Sequence, residues 1–295
     1  MRKQSNSPAL LLFVFVLILF SPPQAEAQVS SVEDFSREVA GVAGTNYLDL
    51  LRKIFPDVAP GSQSTPDTIA RTSIPLRHLF GDYENKVYTG EMKIGSLEAL
   101  WLKDGGRKHL LLLVGVSAES EEAEINWGEM HVLALFQTVP TIRLLDAVDI
   151  QADRFAGFWD EQPVLAIGRE KDAVMVQSSH HNSSQGYQSL ALVSAEQGKL
   201  KSLFDLPVLL NSNTCGQNFA QEATLSVLKD SAGDHRPILV RIKMVKEPDG
   251  EDCERRTRGY TKFYKALLVW NPSRREYSSR GRELKNLARF NEKNF

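Results

Sequence analysis

Several patterns that would announce a reaction are missing from this chain. It has no Gly-x-Ser-x-Gly elbow to expose a nucleophilic serine, no Gly-x-x-x-x-Gly-Lys loop to cradle phosphate, and no Cys-x-x-Cys pair. Nucleotide-binding and structural-zinc readings therefore have no motif behind them, and a Ser-His-Asp set is not deducible from residue types alone. Charge of one sign is lacking too: 35 Lys and Arg face 37 Asp and Glu, a balance that selects no partner by itself. Only 2 cysteines occur. Long apolar runs are confined to the first residues of the chain.

That early run is the clearest signal present. Arg2 and Lys3 precede unbroken apolar sequence from Ala9 to Phe20, and Ser21-Pro22-Pro23 leads on to Ala25-Glu26-Ala27. Charge, apolar stretch and small-residue exit follow in the order of a cleavable secretory signal, which predicts residues 1–27 as signal peptide and a mature start near Gln28. A run of about 12 residues falls short of the roughly 20 that a membrane-crossing helix needs. No cysteine lies near the predicted cut, which excludes a lipid anchor at that point. The expected location is thus secreted or periplasmic. In such a compartment Cys215 and Cys253, both in polar, turn-rich surroundings, are expected to form one disulfide, adding about 4 kcal/mol in the chain-entropy model.

The body of the chain carries an internal echo. Leu102-Lys103-Asp104 stands before a turn and the apolar run Leu110 to Val114; Leu228-Lys229-Asp230 stands before a turn and Ile238-Leu239-Val240. Midway between them, Val164 to Ile167 is followed by a turn and the run Ala173 to Val176. Each run is followed by a polar stretch and another apolar segment, at Val132 to Phe136, Leu190 to Val193 and Ala266 to Val269. A fourth segment ends each unit, at Leu144 to Asp146, Leu203 to Asp205 and Glu276 to Ser278. Short Val- and Leu-rich segments between Gly, Asp, Asn and Ser turns predict antiparallel β-meanders, here three in tandem.

The expected fold is therefore mainly β, an open propeller-like stack of three meanders, with an ordinary β-sandwich as the alternative. Leu110 to Val114 is apolar at every position, so that strand is expected to be buried on both faces. Val240, Ile242 and Met244 alternate with Arg241 and Lys243, so one face of the last unit is expected to meet solvent. Tyr47, Leu48, Leu51, Ile54 and Phe55 recur at helical spacing up to Pro56, and Leu284, Leu287, Ala288 and Phe290 do so near the C-terminus. These two short helices are expected to cap sheet edges. The organisation reads as a helical N-terminal segment and linker over 28–85, with Gly61 to Asp67 as the linker proper. A β-repeat domain follows over 86–282, and a C-terminal helix over 283–295.

If the meanders stack in register, the stretches Ala118 to Glu129, Ser178 to Gly186 and Glu247 to Arg258 emerge together as long polar loops, the candidate functional surface. The middle one holds His180, His181, Asn182 and Tyr187, taken as candidate ligand-binding residues. One reading makes His180 or His181 a metal ligand, with carboxylates such as Glu122 or Asp249 from neighbouring loops. Adjacent histidines in a strand point to opposite faces, however, which sets against it the reading that one packs and the other is solvated. The sequence calls for no cofactor and no resident metal.

From Arg255 onward twelve Lys or Arg face three Glu, a basic end suited to anionic lipid head groups or polysaccharide, or simply to a solvated face. The function expected from sequence is a binding module at the bacterial envelope or outside the cell, its ligand a polysaccharide or an envelope protein, with no nucleic acid and no membrane span in the mature chain. The alternative is a secreted hydrolase or metal-dependent enzyme working through His180 and His181. Intact-mass measurement on exported material should find a chain beginning near Gln28; an intact Met1 there would reject cleavage.

Overall fold

A computed structural model describes residues 29–60, 68–70, 74–79, 86–88, 91–118, 129–150, 155–212, 218–229, 234–248 and 258–294. The predicted signal peptide, the linker from Gly61 to Asp67, Cys215 and Cys253 lie outside these residues. The first elements are β1 (Ser30–Ser31), α1 (Tyr47–Ile54), β2 (Thr68–Ala70), β3 (Ile74–His78) and β4 (Lys86–Tyr88). The long strands β5 (Met92–Asp104), β6 (Arg107–Ala118), β7 (Glu129–Gln137) and β8 (Arg143–Asp149) follow. Next come β9 (Phe155–Phe158), β10 (Val164–Leu165), β11 (Ala173–His181), β12 (Gln185–Glu196) and β13 (Lys199–Ser212). Last are β14 (Phe219–Val227), β15 (Ile238–Lys246), β16 (Tyr260–Asn271), β17 (Glu276–Arg280) and α2 (Glu283–Asn294). The protein is mainly β, as its alternation and turn chemistry predict.

These strands form two sheets and no closed barrel. The first has 8 strands in the order β1-β5-β6-β7-β8-β3-β4, with β2 also on β5; the second has 9, running β10 to β17 in sequence order with β9 on β11. Pairing is antiparallel throughout except for β3 on β8. Tight turns set the register. Gly105 and Gly106 between β5 and β6, and Gln197 and Gly198 between β12 and β13, all have positive φ. That conformation at both central residues matches the right-handed strand twist, and glycine adopts it without steric cost.

Three apolar cores separate the layers. In β6, Leu110, Leu112 and Val114 face a first core shared with Tyr47, Leu50, Leu51 and Ile54 of α1, while Leu111 and Leu113 face a second core shared with Val174, Val176, Ala191 and Val193 of the second sheet. All five β6 residues are at most 3% exposed, as two-faced burial requires. A third core joins Met175, Leu190 and Leu192 to Leu225, Val240, Ile242, Met244 and Leu268. The 9-stranded sheet therefore folds over on itself, and its bend coincides with a joint where, among the described residues, β13 and β14 pair only at Ser212–Phe219.

The helices differ from expectation in placement. The α1 helix has a full capping box, Asn46 Oδ1 accepting from Asp49 N at 2.8 Å and Asp49 Oδ2 from Asn46 N at 3.3 Å, with Arg52 and Lys53 in the last turn. It covers a face of the first sheet rather than an edge, because that face is wholly apolar and must be covered. The α2 helix packs Leu284, Leu287 and Phe290 on the third core, Phe290 meeting Phe219 edge-on at 5.1 Å. Truncating Leu111, with no exposed surface, to alanine should cost about 2–5 kcal/mol in denaturant unfolding.

Candidate functional site

Both ends of the stacked strands carry polar side chains, and their chemistry differs. At the end where β5 turns into β6, charges link all the layers. Lys171 Nζ lies 3.7 Å from Asp104 Oδ1 and 3.6 Å from Glu196 Oε1, and Arg275 Nη2 lies 2.6 Å from Glu196 Oε2. Asp146 accepts from Leu200 N at 2.8 Å, Arg77 Nη2 at 2.8 Å and Lys199 Nζ at 3.3 Å. Lys103 N donates to Asp172 Oδ2 at 2.9 Å while Asp172 N returns a bond to Lys103 O at 2.8 Å. The imidazole of His235 stacks on Trp270 at 3.7 Å between centroids. Gly168 leaves room there for the carbonyl oxygen of Asp234, and Arg236 N donates to Ile167 O at 2.6 Å. Paired charges at turn ends fasten the layers, and removing Arg275 or Arg77 would leave a nearly buried carboxylate with fewer charges to offset its desolvation.

The candidate binding residues lie at the opposite end. Strands β6, β11 and β15 all start at the fastened end and run away from it, and nine residues of β11 span about 30 Å. The segment Ser178 to Gly186, expected as a long loop, is instead mostly strand. Pairing continues through His180–Tyr187 and His181–Gly186, leaving Asn182-Ser183-Ser184 as the turn. Asn182 drives this closure: its Oδ1 accepts from Ser184 N at 2.9 Å and Gln185 N at 2.8 Å, and its own N–H donates to Gln185 O at 2.9 Å. A Cβ at Gly186 would lie 2.6 Å from His181 Nδ1 and 2.9 Å from Asn211 Oδ1, so glycine lets the imidazole lie over the next strand, and a larger residue would displace these two side chains.

With His180 and His181 in regular pairing, their side chains leave opposite faces and do not converge on one ion. Among the described residues, no group of three or more His, Cys, Asp and Glu side chains is placed to hold a metal. Glu122 and Asp249, the carboxylates considered as co-ligands, lie outside the described residues, as do most of the two flanking loops. What the hairpin does present is His181, Asn182 and Ser183 exposed at the tip, with Tyr187 half-buried behind them and donating to Gln185 Oε1 at 2.6 Å. Phe155, 57% exposed on the neighbouring β9, pairs with Ser179 and adds an aromatic surface beside the tip. Amide, hydroxyl, imidazole and aromatic groups on a stiff hairpin suit recognition of a polar ligand. No protein-family model, curated protein or solved structure matches the chain.

Behind the tip are titratable groups that sequence reading passes over. Ser96, Gly115 and His131 form one row across β5, β6 and β7, with the Ser96 hydroxyl over Gly115 where a Cβ would otherwise be. His131 is 6% exposed, and desolvation lowers its pKa against the opposing field of Asp149. Glu98, whose carboxyl is raised by burial, accepts from Phe158 N at 2.8 Å. His78 Nδ1 lies 3.1 Å from Asp149 Oδ2, both buried.

The histidine shifts have a definite consequence. Desolvation also lowers His109 and His235, so these side chains and His131 are held neutral when folded. A histidine with a depressed folded pKa contributes stability that is present above about 6.5 and lost as pH falls below it, because the unfolded state then binds more protons. Glu98 and Asp172, raised by burial, act with the opposite sign in the carboxylate range: their contribution favours folding at lower pH. Melting temperature should therefore drop between pH 7.5 and 5.5. His131→Leu should shrink that drop, and an unaltered difference would show that His131 is not a buried neutral group.

Proposed function

We propose that this chain is an exported β-repeat binding module of the bacterial envelope or its exterior, built as an open propeller-like stack of three meanders, β5–β8, β10–β13 and β14–β17. Its ligand is a polysaccharide or an envelope protein, and the hairpin end carrying His180, His181, Asn182 and Tyr187 engages it. The stack is supported by consecutive antiparallel pairing within each set of strands and by the two inter-layer cores, where a two-layer sandwich would have one. Export rests on the charge, apolar run and small-residue exit of residues 1–27.

The observation that carries the binding reading is the hairpin itself. Its tip is held by four hydrogen bonds around Asn182, displays polar and aromatic groups together, and has His180 and His181 directed to opposite faces rather than gathered for catalysis. A ligand surface pre-formed in this way loses little entropy on binding.

The test is co-sedimentation of the chain with insoluble cell-wall polysaccharide from its source organism, and affinity capture of envelope proteins as a second arm. A His180→Ala/His181→Ala variant should lose at least five-fold in binding while its stability changes by less than about 0.5 kcal/mol. Retained binding in the variant would reject the hairpin end as the site. Metal analysis of the same two preparations decides the rival: one tightly held zinc or manganese per chain, lost in the variant together with several degrees of melting temperature, would replace the binding module with a metal-dependent enzyme.

A further inference from the structure

The outer face of β14–β17 has a composition unlike any other surface described. Val240, Ile242 and Met244 turn inward with no exposed surface, so Arg241 and Lys243 turn outward. Pairing sets the outward residues in rows. Thr224, Arg241 and Lys265 make one, and Glu222, Lys243 and Phe263 make the next. Leu267 and Val269, half-buried, continue the outward side of β16, opposite Arg280 and Ser278 of β17. Phe263 is 71% exposed, in mid-strand rather than at a turn, and flanked by cations. An aromatic ring of that exposure on a flat sheet face leaves a large apolar area in water.

Charge narrows what covers it. Arg241, Lys243, Lys265 and Arg280 stand against Glu222, which lies 3.7 Å from Lys243, while Glu276 at the margin is taken by Arg274 at 2.9 Å. A second copy laid face to face would set these four cations against their own counterparts, so self-association is electrostatically opposed. A sugar chain would need amide and carboxylate groups bracketing the ring, and its neighbours here are Lys, Arg, Leu and Val. Cations around a protruding aromatic, over an aliphatic floor, match the order of groups at a bilayer surface, with phosphates outermost and acyl chains beneath.

We propose that this face docks on a bilayer rich in anionic phospholipid, with Arg241, Lys243, Lys265 and Arg280 meeting lipid phosphates and Phe263 entering the head-group boundary. The contact is peripheral: among the described residues no helix is long and apolar enough to cross a membrane. It uses a different surface from the hairpin end and does not depend on that reading.

The test is vesicle co-sedimentation of the chain from Gln28 onward, which keeps every residue of the described fold and removes the apolar run of the predicted signal. Binding is expected to vesicles of equal parts phosphatidylglycerol and phosphatidylcholine, to fall as salt rises, and to be absent with phosphatidylcholine alone. Each basic residue near an anionic surface contributes about a five-fold change, so Arg241→Gln/Lys243→Gln/Lys265→Gln should weaken partitioning about a hundred-fold. Phe263→Ser should weaken it at least five-fold without altering the salt dependence. All four positions are exposed, so unchanged melting temperatures will show both variants folded. His180→Ala/His181→Ala should bind vesicles as the parent chain does, which separates this face from the hairpin end. The proposal is overturned by absent binding, by equal binding to neutral vesicles, by variants that bind undiminished, or by binding to soluble dextran sulfate with none to vesicles.

Discussion

A strand that is apolar at every position has to be covered twice, and in this protein that requirement falls on β6 and its neighbours. Leu110, Leu112 and Val114 are covered by α1 and the N-terminal segment; Leu111 and Leu113 are covered by the second sheet. The second sheet inherits the same problem, since β11 and β12 offer Val174, Val176, Ala191 and Val193 to one side and Met175, Leu190 and Leu192 to the other. It is solved by folding β14–β17 back over the exposed side. The series of protein layers ends at the outer face of those last strands, where Arg241 and Lys243 alternate with buried residues. Layer number thus follows from which strands alternate and which do not.

Stacking by apolar contact alone would leave the layers free to slide, because such contact is non-directional. The paired charges at the turn end supply direction. Glu196 receives both Lys171 and Arg275, and Asp146 receives a backbone amide and two cations, each carboxylate nearly buried. Desolvating a carboxylate is costly, and an arrangement in which every cation is in place is the one that offsets it. Net stabilisation from these groups is modest by that reasoning; their effect is on alignment. At the opposite end the hairpin of β11 and β12 is held within itself by Asn182.

Much of this layout was legible in the sequence, for reasons that can be named. Two-faced burial of Leu110 to Val114 needs only an unbroken apolar run, and the two-sided character of β15 needs only alternation. The α1 helix announces itself through Asn46, the spacing of its apolar residues and Pro56. The His180 region was misread as a long loop because Ser, His, Asn and Gln carry little strand preference, yet cross-strand pairing with β12 overrode composition up to His181. The setting of Phe155 and Glu98 was not legible, because it depends on β9 pairing with β11 and meeting β5 across layers. The parallel pairing of β3 with β8, and with it the His78–Asp149 contact, joins segments far apart in sequence, and nothing local encodes it.

The joint between β13 and β14 has one further consequence. Among the described residues β13 and β14 pair only at Ser212–Phe219, while the third core runs across the joint from Leu190 and Leu192 to Val240 and Ile242. Mechanical continuity between the two halves of the second sheet therefore resides in interdigitated side chains, and cooperativity of unfolding across the bend is set by how tightly that core is filled.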